Sequence, residues 1–339
     1  NSICLSANHL AVKGKESRLS FNLNALAQQW GEDEHTVQTI HLTDSDPLII
    51  KEEESRNDRS LYLNGQVNIE KNTERKYIYN TTALSGQIRE HISAVSDHAD
   101  DRYQLPSLKI SNTFEGIIRS GSNAINIKSD TKFVYGDHSL ILNGADFISP
   151  VRERVESSRI ESDNSVHFNK TFGNLSYQFA GDLNIEWQMT LADIDKADFK
   201  GISDDMIDNR FTGVSISPGI SNRIIWERDS WRAEAGLPIS LNYMRYSNDD
   251  IGDTALKPSV YPSAGIRYSF SQSSQIGVNG SYLLTSSSLS SADSGTLITD
   301  YRTAIAEGML NTRSSWRGRV YFRYNDIFKM MSGNISAGI

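Results

Sequence analysis

One stretch of the sequence, Asn174–Thr190, alternates apolar and polar residues for longer than an ordinary soluble strand would need. The apolar row consists of Leu175, Tyr177, Phe179, Leu183, Ile185, Trp187 and Met189. A period of two places this row on one face of a β-strand and the polar residues on the other. A tilted strand crosses a bilayer in roughly 9–11 residues, whereas soluble strands usually have about 5–6. The stretch therefore predicts a membrane-crossing strand whose apolar row faces lipid; a strand of a soluble sandwich is the alternative.

The same alternation recurs along the chain in about fifteen candidate strands. Their connections alternate between short and long, as in outer-membrane barrels, where short turns face the periplasm and long loops face outward. The short turns are predicted near residues 32, 72, 121, 173, 229 and 272. The long connections include Asp193–Asn209 and Ser286–Ser315, and the turn at Gly14 breaks the alternation as a short outer loop. This pattern favours an antiparallel up-and-down transmembrane β-barrel over a soluble sandwich.

Several polar segments interrupt the alternation and are predicted to be connections. They are a turn at Gly31–Glu34 and longer connections at Thr43–Arg59, His91–Pro106, Asp137–Arg152 and Asn248–Lys257. The segment Glu153–Phe172 is extended but polar for a strand, so parts of it are expected to face water.

Composition excludes some classes of protein. No window approaches about 18 consecutive apolar residues, so no transmembrane helix is predicted. The formal net charge of −8 argues against a nucleic-acid partner, because binding to phosphates requires a basic surface. Cys4 is the only cysteine, so an internal disulfide and a cysteine-based metal site are both excluded.

Two clusters of candidate metal ligands have a simpler interpretation as charged loops in water. The first contains His91, Asp97, His98, Asp100 and Asp101. The second is an acidic run of Asp193, Asp195, Asp198, Asp204, Asp205 and Asp208, which lacks the spacing of a calcium-binding EF-hand loop. No serine, histidine and carboxylate set has a recognisable spacing. We therefore predict no catalytic residues, no metal site, no cofactor and no enzymatic activity.

Aromatic residues concentrate near the predicted strand ends, where barrels carry girdles at the bilayer interfaces. They are Trp187, Trp226, Trp231, Tyr243, Tyr246, Tyr261 and Trp316. Ordinary β-propensity of aromatic residues is the alternative explanation for each of them.

Three segments in the last third of the sequence resemble the barrel of TonB-dependent receptors, in the subgroup with large barrels and a carboxypeptidase-like N-terminal extension. These segments are Lys257–Tyr268, Asp300–Thr303 and Tyr321–Lys329. The resemblance implies a barrel of about 22 strands with a plug domain. Residues 1–339 would then form part of an outer-membrane barrel whose plug domain and signal peptide lie outside this sequence. An interior piece of a longer protein is also what the ends of the sequence suggest.

The resemblance also implies a function and a set of partners. Such receptors import scarce ligands across the outer membrane with energy from the inner membrane. The expected partners are outer-membrane lipid, a surface lipoprotein or other outer-membrane protein, and an energy-coupling protein that binds an N-terminal region outside this sequence. The first alternative is a receptor-like barrel that does not transport and instead holds partner proteins in an assembly; the second is an outer-membrane enzyme. No ligand-binding residue of the family has a counterpart here, so the ligand-binding residues are left unassigned.

Overall fold

The computed structural model describes residues 1–40, 48–95, 99–121, 123–144, 151–194, 209–248, 251–286, 289, 296–300, 303–306, 312–326 and 330–339. The regular elements in these ranges are all strands: β1 (Ser2–Lys13), β2 (Ser17–Ile40), β3 (Leu48–Asn72), β4 (Lys76–Val95), β5 (Ala99–Ser120), β6 (Asn123–Gly144), β7 (Val151–Phe172), β8 (Leu175–Ile194), β9 (Asn209–Arg228), β10 (Trp231–Asn248), β11 (Ile251–Val260), β12 (Ser263–Ser269), β13 (Ser274–Ser286), β14 (Thr296–Asp300), β15 (Thr303–Ala306), β16 (Thr312–Asp326) and β17 (Met331–Gly338). Within the same ranges, no helix is long and apolar enough to cross a membrane.

Neighbouring strands pair antiparallel in chain order and form one 15-stranded sheet, while β14 and β15 form a separate hairpin. β11 and β12 occupy a single position in the sheet, because both pair with β10 in one continuous register. The interruption falls at Tyr261 and Pro262, and proline has no N–H to donate to a ladder. In the described part of the chain, β1 and β17 are the two open edges of the sheet. The prediction of an all-β, antiparallel up-and-down architecture is confirmed.

The tight turns at residues 14, 73–75, 121, 173 and 229 lie at one edge of the sheet, while the opposite edge holds the long connections together with two short ones, between β4 and β5 and between β10 and β11. Three of the tight turns contain a glycine with positive φ, at Gly14, Gly121 and Gly173, and a fourth contains Asp229 with φ of 52°. Glycine adopts this left-handed conformation without a steric penalty.

The prediction that Gly14 forms a short loop at the opposite edge is wrong, because β2 runs uninterrupted from Ser17 to Ile40. The β1–β2 turn therefore falls at the same edge as the others, and the predicted turn near residue 32 does not exist.

The strands are longer than their sequences suggested, and the longest have more than 20 residues. Residues of five predicted connections belong to strands instead: Gly31–Glu34 to β2, Leu48–Arg59 to β3, His91–Val95 and Ala99–Pro106 to β4 and β5, Asp137–Gly144 to β6, and Ile251–Lys257 to β11. Polar composition predicts loops in these segments, but backbone pairing continues when both faces of a strand are polar. Gly31, for example, pairs with Asn57.

The two faces of the sheet differ in character. Cross-strand neighbours share a face in an antiparallel pair, so the register extends each row of side chains from strand to strand. One face, here called the apolar face, exposes large hydrophobic side chains from β2 to β16. Examples are Phe21, Leu63, Leu84, Ile110, Ile127, Leu183, Ile220, Leu241, Leu256, Val278 and Phe322. The opposite face, here called the polar face, carries most of the charged and hydrogen-bonding side chains between these positions.

A patch of polar side chains interrupts the apolar face on β4 to β7. This polar ladder consists of Asn80, Thr82, Asn112, Ser129, Thr131, Ser162 and Asn164. Its members bond to one another: Asn112 and Asn80 exchange amide hydrogen bonds of 3.2 Å, and Asn112 Nδ2 donates to Thr82 Oγ1 at 2.8 Å. Ser129 Oγ donates to Asn164 Oδ1 at 2.7 Å. The polarity of β7 on this face is therefore satisfied by neighbouring strands, and not only by water as its sequence suggested.

Buried hydrophobic side chains lie on the polar face, close to the edge with the long connections. Phe211 and Leu289 are fully buried and contact Tyr246. Gly213 makes room for this contact, because a Cβ at that position would lie 2.6 Å from Cδ1 of Leu289. Leu140, Val155, Ala192 and Ile194 are also buried on this face. Among the described residues, the buried hydrophobic side chains therefore form a small core on the polar side of the sheet.

Candidate functional site

The polar face is the candidate site, because its charged side chains form a connected surface across many strands. On β6 to β8, Arg159 contacts Glu161 at 2.6 Å and Glu186 at 2.8 Å, and Lys132 contacts Glu161 at 3.3 Å. On β9 and β10, Ser215 and Ser217 both donate hydrogen bonds to Asn242 Oδ1. The alternation of each strand sends these groups to one side, and pairing brings them together.

The seven residues predicted to face lipid share one face of β8. Leu175, Phe179 and Leu183 are exposed. Their cross-strand neighbours on the apolar face of β9 are Trp226, Asn222 and Pro218. Tyr177 donates a hydrogen bond to Asn222 of β9, which satisfies a polar side chain on the apolar face. Contact of this row with lipid stays a prediction.

Ion pairs mark where the apolar face ends. Near the edge with the long connections, positions that continue the apolar rows carry charges instead. Arg102 Nη2 contacts Glu90 Oε1 at 2.6 Å, and Arg154 Nη2 contacts Asp137 Oδ2 at 2.9 Å. Arg154 also contacts Glu156 at 2.7 Å. The apolar row gives way to charges there, so this end of β2 to β7, here called the rim, projects beyond the apolar band.

A half-buried aspartate, histidine and tyrosine cluster lies on the polar face of the rim. His91 Nδ1 lies 2.9 Å from Asp58 Oδ1, and Arg89 donates to the same oxygen at 3.2 Å. The rings of His91 and Tyr103 are stacked with centroids 4.5 Å apart, and His138 meets Tyr103 edge-on at 6.4 Å. The register explains the grouping, since Asp58, His91 and Tyr103 are direct cross-strand neighbours.

The surroundings shift the pKa values of this cluster. Burial would raise the pKa of Asp58, but hydrogen bonds from His91 and Arg89 outweigh it and hold the pKa below its usual value. Burial lowers the pKa of His138, with the charge of Asp137 opposing that effect. Burial raises the pKa of the Tyr103 hydroxyl. The cluster therefore holds Asp58 ionised and favours a neutral His138.

Both candidate metal clusters of the sequence fall partly outside the described residues. His91 belongs to β4 and contacts Asp58, residues 97 and 98 lie outside the described ranges, and the side chains of residues 100 and 101 lie outside them as well. Residues 195–208 of the acidic connection lie outside them too. In the part of the chain that the structure describes, no group of three His, Cys, Asp or Glu side chains is arranged to hold a metal ion.

The aromatic residues predicted near strand ends divide between the faces. Trp226 and Trp231 flank the β9–β10 turn and are exposed on the apolar face, as is Tyr243 further along β10. Tyr246 and Tyr261 lie on the polar face, so they cannot belong to a girdle on the apolar face. Trp187 and Trp316 lie on the apolar face, so the girdle stays a prediction for these two and for the first group.

A second cluster on the polar face spans β9, β10, β12, β13 and β16. One row across these strands reads Arg223, Gly236, Ser263, Ser281 and Arg317. The rows beside it add Gly265, Asn279, Arg319, Arg267 and Tyr321. These residues border two adjoining cavities of about 340 and 270 Å³. We call this cluster the arginine cradle.

The cradle was not predicted from the sequence, although the spacing of four of its neighbouring arginines already indicates a shared face. Arg313, Arg317, Arg319 and Arg323 are separated by even numbers of residues, so a period of two already places them on one face of a strand. Arg267 and Arg223 come from strands that only the sheet brings alongside.

No protein-family model matches the sequence, and no curated protein matches it. Solved structures match the fold. The ferric yersiniabactin uptake receptor FyuA from Yersinia pestis matches 96% of this chain and 50% of its own, with a TM-score of 0.57 and 11% identity. The copper transporter OprC matches 99% and 52%, with a TM-score of 0.54 and 11% identity. The alcaligin outer membrane receptor FauA from Bordetella pertussis matches 99% and 50%, with a TM-score of 0.53 and 8% identity.

These three structures are TonB-dependent receptors, and this chain spans about half the length of each. At such low identity the likeness concerns the fold. The fold is therefore that of an antiparallel up-and-down outer-membrane β-barrel, of which the chain forms a part.

Proposed function

We propose that the chain is part of a receptor-like barrel of a Gram-negative outer membrane, which imports a scarce ligand with energy supplied from the inner membrane. The observation that carries this proposal is the contrast between the two faces. A sheet with one exposed apolar face and one continuous charged face suits a barrel that faces lipid outside and encloses a polar lumen. The matching fold of uptake receptors supports the same function.

In this proposal the apolar row of β8, from Leu175 to Met189, faces outer-membrane lipid. The short turns lie in the periplasm, and the rim with its long connections projects from the cell. Strands that extend beyond the apolar band raise the rim above the bilayer, where a ligand or a surface lipoprotein is met first. An energy-coupling protein is the expected partner on the periplasmic side. The proposal gives the chain no catalytic role.

The experiment compares cells that lack the full-length protein with complemented cells, each grown on a panel of scarce nutrients. We expect the deletion to abolish growth on at least one nutrient, and loss of the energy-coupling protein to reproduce that defect. Equal growth of both strains across the panel contradicts the import function.

A scaffold that does not transport is the second candidate, because the rim offers a long charged surface. The scaffold function predicts a different result when deletion and complemented cells are compared. Outer-membrane partner proteins would then be recovered with the tagged full-length protein and lost from the outer membrane of the deletion strain, while nutrient uptake stays unchanged.

A further inference from the structure

The last strands of the sheet concentrate positive charge on the polar face. β12, β13, β16 and β17 contain five arginines and a single carboxylate, Asp326, at the end of β16. The arginines are Arg267, Arg313, Arg317, Arg319 and Arg323. The register places all five on the polar face. The whole sequence carries a net charge of −8, so this local excess runs against the overall composition.

Nearby carboxylates do not neutralise this charge. Glu227 and Glu234 are held by Arg232 at 2.6 Å and by Arg223 at 2.7 Å. Among the described residues, no carboxylate lies within 4.0 Å of the guanidinium groups of Arg267, Arg317 or Arg319. Within the same part of the chain, the buried Nε of Arg267 has no hydrogen-bond partner. Clustered guanidinium groups repel one another, so this arrangement favours an anion between them.

The floor of the cradle leaves room for such an anion. Gly236, Ser263, Gly265 and Ser281 lie between the arginines, and none has a side chain larger than a hydroxymethyl group. The space at Gly265 is limited, because a Cβ there would lie 3.3 Å from Cβ of Asn279. Five arginines and one glutamate border the two cavities. The serine hydroxyls and the Asn279 amide add neutral donors to the charged ones.

We propose that the arginine cradle binds a multiply charged oxyanion, the carboxylate- or phosphate-bearing part of the imported ligand. The guanidinium group presents paired N–H donors that match the two oxygens of a carboxylate or phosphate. A cluster of one sign of charge in a lumen with low-dielectric walls also concentrates ions of opposite sign. This inference rests on the proposed function, since it names the ligand class of that barrel.

The test titrates the full-length protein in detergent with pyrophosphate, and separately with propane-1,2,3-tricarboxylate, by calorimetry. We expect at least one of the two to bind, and the affinity to fall as salt is raised from about 0.05 to about 0.5 M. The double variant Arg317→Gln/Arg319→Gln should lose about tenfold in affinity per arginine, the size expected for one charge-assisted hydrogen bond. Arg18→Gln is the matched control, an exposed arginine on the polar face of β2, and should leave affinity unchanged.

Each outcome decides one question. Binding of pyrophosphate alone, or of the tricarboxylate alone, distinguishes a phosphate-bearing from a carboxylate-bearing ligand. If neither anion binds, or if the double variant binds as tightly as the Arg18 variant, the inference is wrong. That result leaves the import function intact if the nutrient defect is still observed. Anion binding without a nutrient defect supports the cradle and contradicts import.

Discussion

At the scale of single residues, the rim shows how cross-strand neighbours set the ionisation of buried groups. His138 is half-buried beside Tyr103, while Asp137 contacts Arg154 on the opposite face. The hydrogen bond and charge of Arg154 lower the pKa of Asp137, against the opposing effect of burial. The two adjacent residues therefore respond to acid in different pH ranges.

We predict that acidification destabilises the rim through His138. An unfolded histidine takes up its proton near pH 6.5, and burial lowers the folded pKa. Stability is therefore complete above about pH 6.5 and is lost as the pH falls through the folded pKa, by about 1.4 kcal/mol per unit of pKa difference. Hydrogen exchange of β5 and β6 amides between pH 7.5 and 5.5 measures this loss.

The variant His138→Phe keeps a ring but cannot take up a proton, so its exchange protection should stay constant over this pH range. His35→Phe, at an exposed rim position, is the control and should keep the wild-type dependence. An unchanged dependence in His138→Phe would assign the loss to another group. The carboxylates Asp58 and Asp137 have lowered pKa values, so their contribution is lost only below about pH 4.

At the scale of elements, each strand has to satisfy two environments at once. The β8 strand alternates between the exposed Leu183 on one face and Asp182 and Asn184 on the other. The polar ladder departs from this rule, since it places amides and hydroxyls on the apolar face. A polar group in hydrocarbon must find its partner within the protein, and the ladder supplies one on the neighbouring strand.

We predict opposite tolerances for arginine at adjacent positions of β8. Leu183→Arg should cost about 2–4 kcal/mol of folding free energy if the position lies at the middle of the bilayer, and Asn184→Arg much less. Denaturant titration of the full-length protein refolded in lipid vesicles measures both. Equal costs at the two positions would contradict the assignment of faces. The assignment would also be wrong if a hydrophobic probe labels a cysteine placed at 184 and leaves a cysteine placed at 183 unlabelled.

We predict that truncating the centre of the polar ladder destabilises the barrel more than replacing the whole group. Asn112→Ala removes three hydrogen bonds and leaves Asn80 and Thr82 without these partners. An unsatisfied polar group that lipid separates from water costs about 1–3 kcal/mol, so the single variant should lose that much in the same titration. The triple variant Asn80→Leu/Thr82→Val/Asn112→Leu should recover most of the loss. If the triple variant is the least stable, the ladder contributes more than mutual satisfaction of its own groups.

At the scale of the whole molecule, the up-and-down order gives the sheet two different edges. The turns at Gly14, Gly121 and Gly173 fall at one edge, and the long connections fall at the other. Short turns at one edge and long loops at the other are typical of outer-membrane barrels. The assignment of the edges to the periplasm and the cell exterior is part of the proposed function.

We predict that an epitope inserted at Lys200 is reached by antibody on intact cells. Lys200 lies in the long connection between β8 and β9, outside the described residues. An epitope inserted after Gly173, in the tight turn at the other edge, is the control and should react only after the outer membrane is permeabilised. The reverse pattern would invert every side assignment. If deletion of residues 197–205 leaves uptake and partner recovery unchanged, the acidic connection has no contact role.

The sequence by itself determined the strand type, the two faces and the order of the strands. These follow from a period of two and from alternating connection lengths, which are local properties of the chain. The apolar row from Leu175 to Met189 was therefore recognisable before any strand was paired. The edge with the long connections was recognisable in the same way, apart from the turn at Gly14 and the predicted turn near residue 32.

Only the tertiary structure decided where the strands end and which charges meet. Polar segments such as 48–59 are read as loops in isolation, but they continue as strands because a paired backbone holds them between two neighbours. The arginine cradle depends on the same pairing, since Arg223 and Arg317 lie on strands far apart in sequence. Register joins residues by backbone hydrogen bonds between distant segments, and no local pattern specifies which residue of one strand lies opposite which residue of the next.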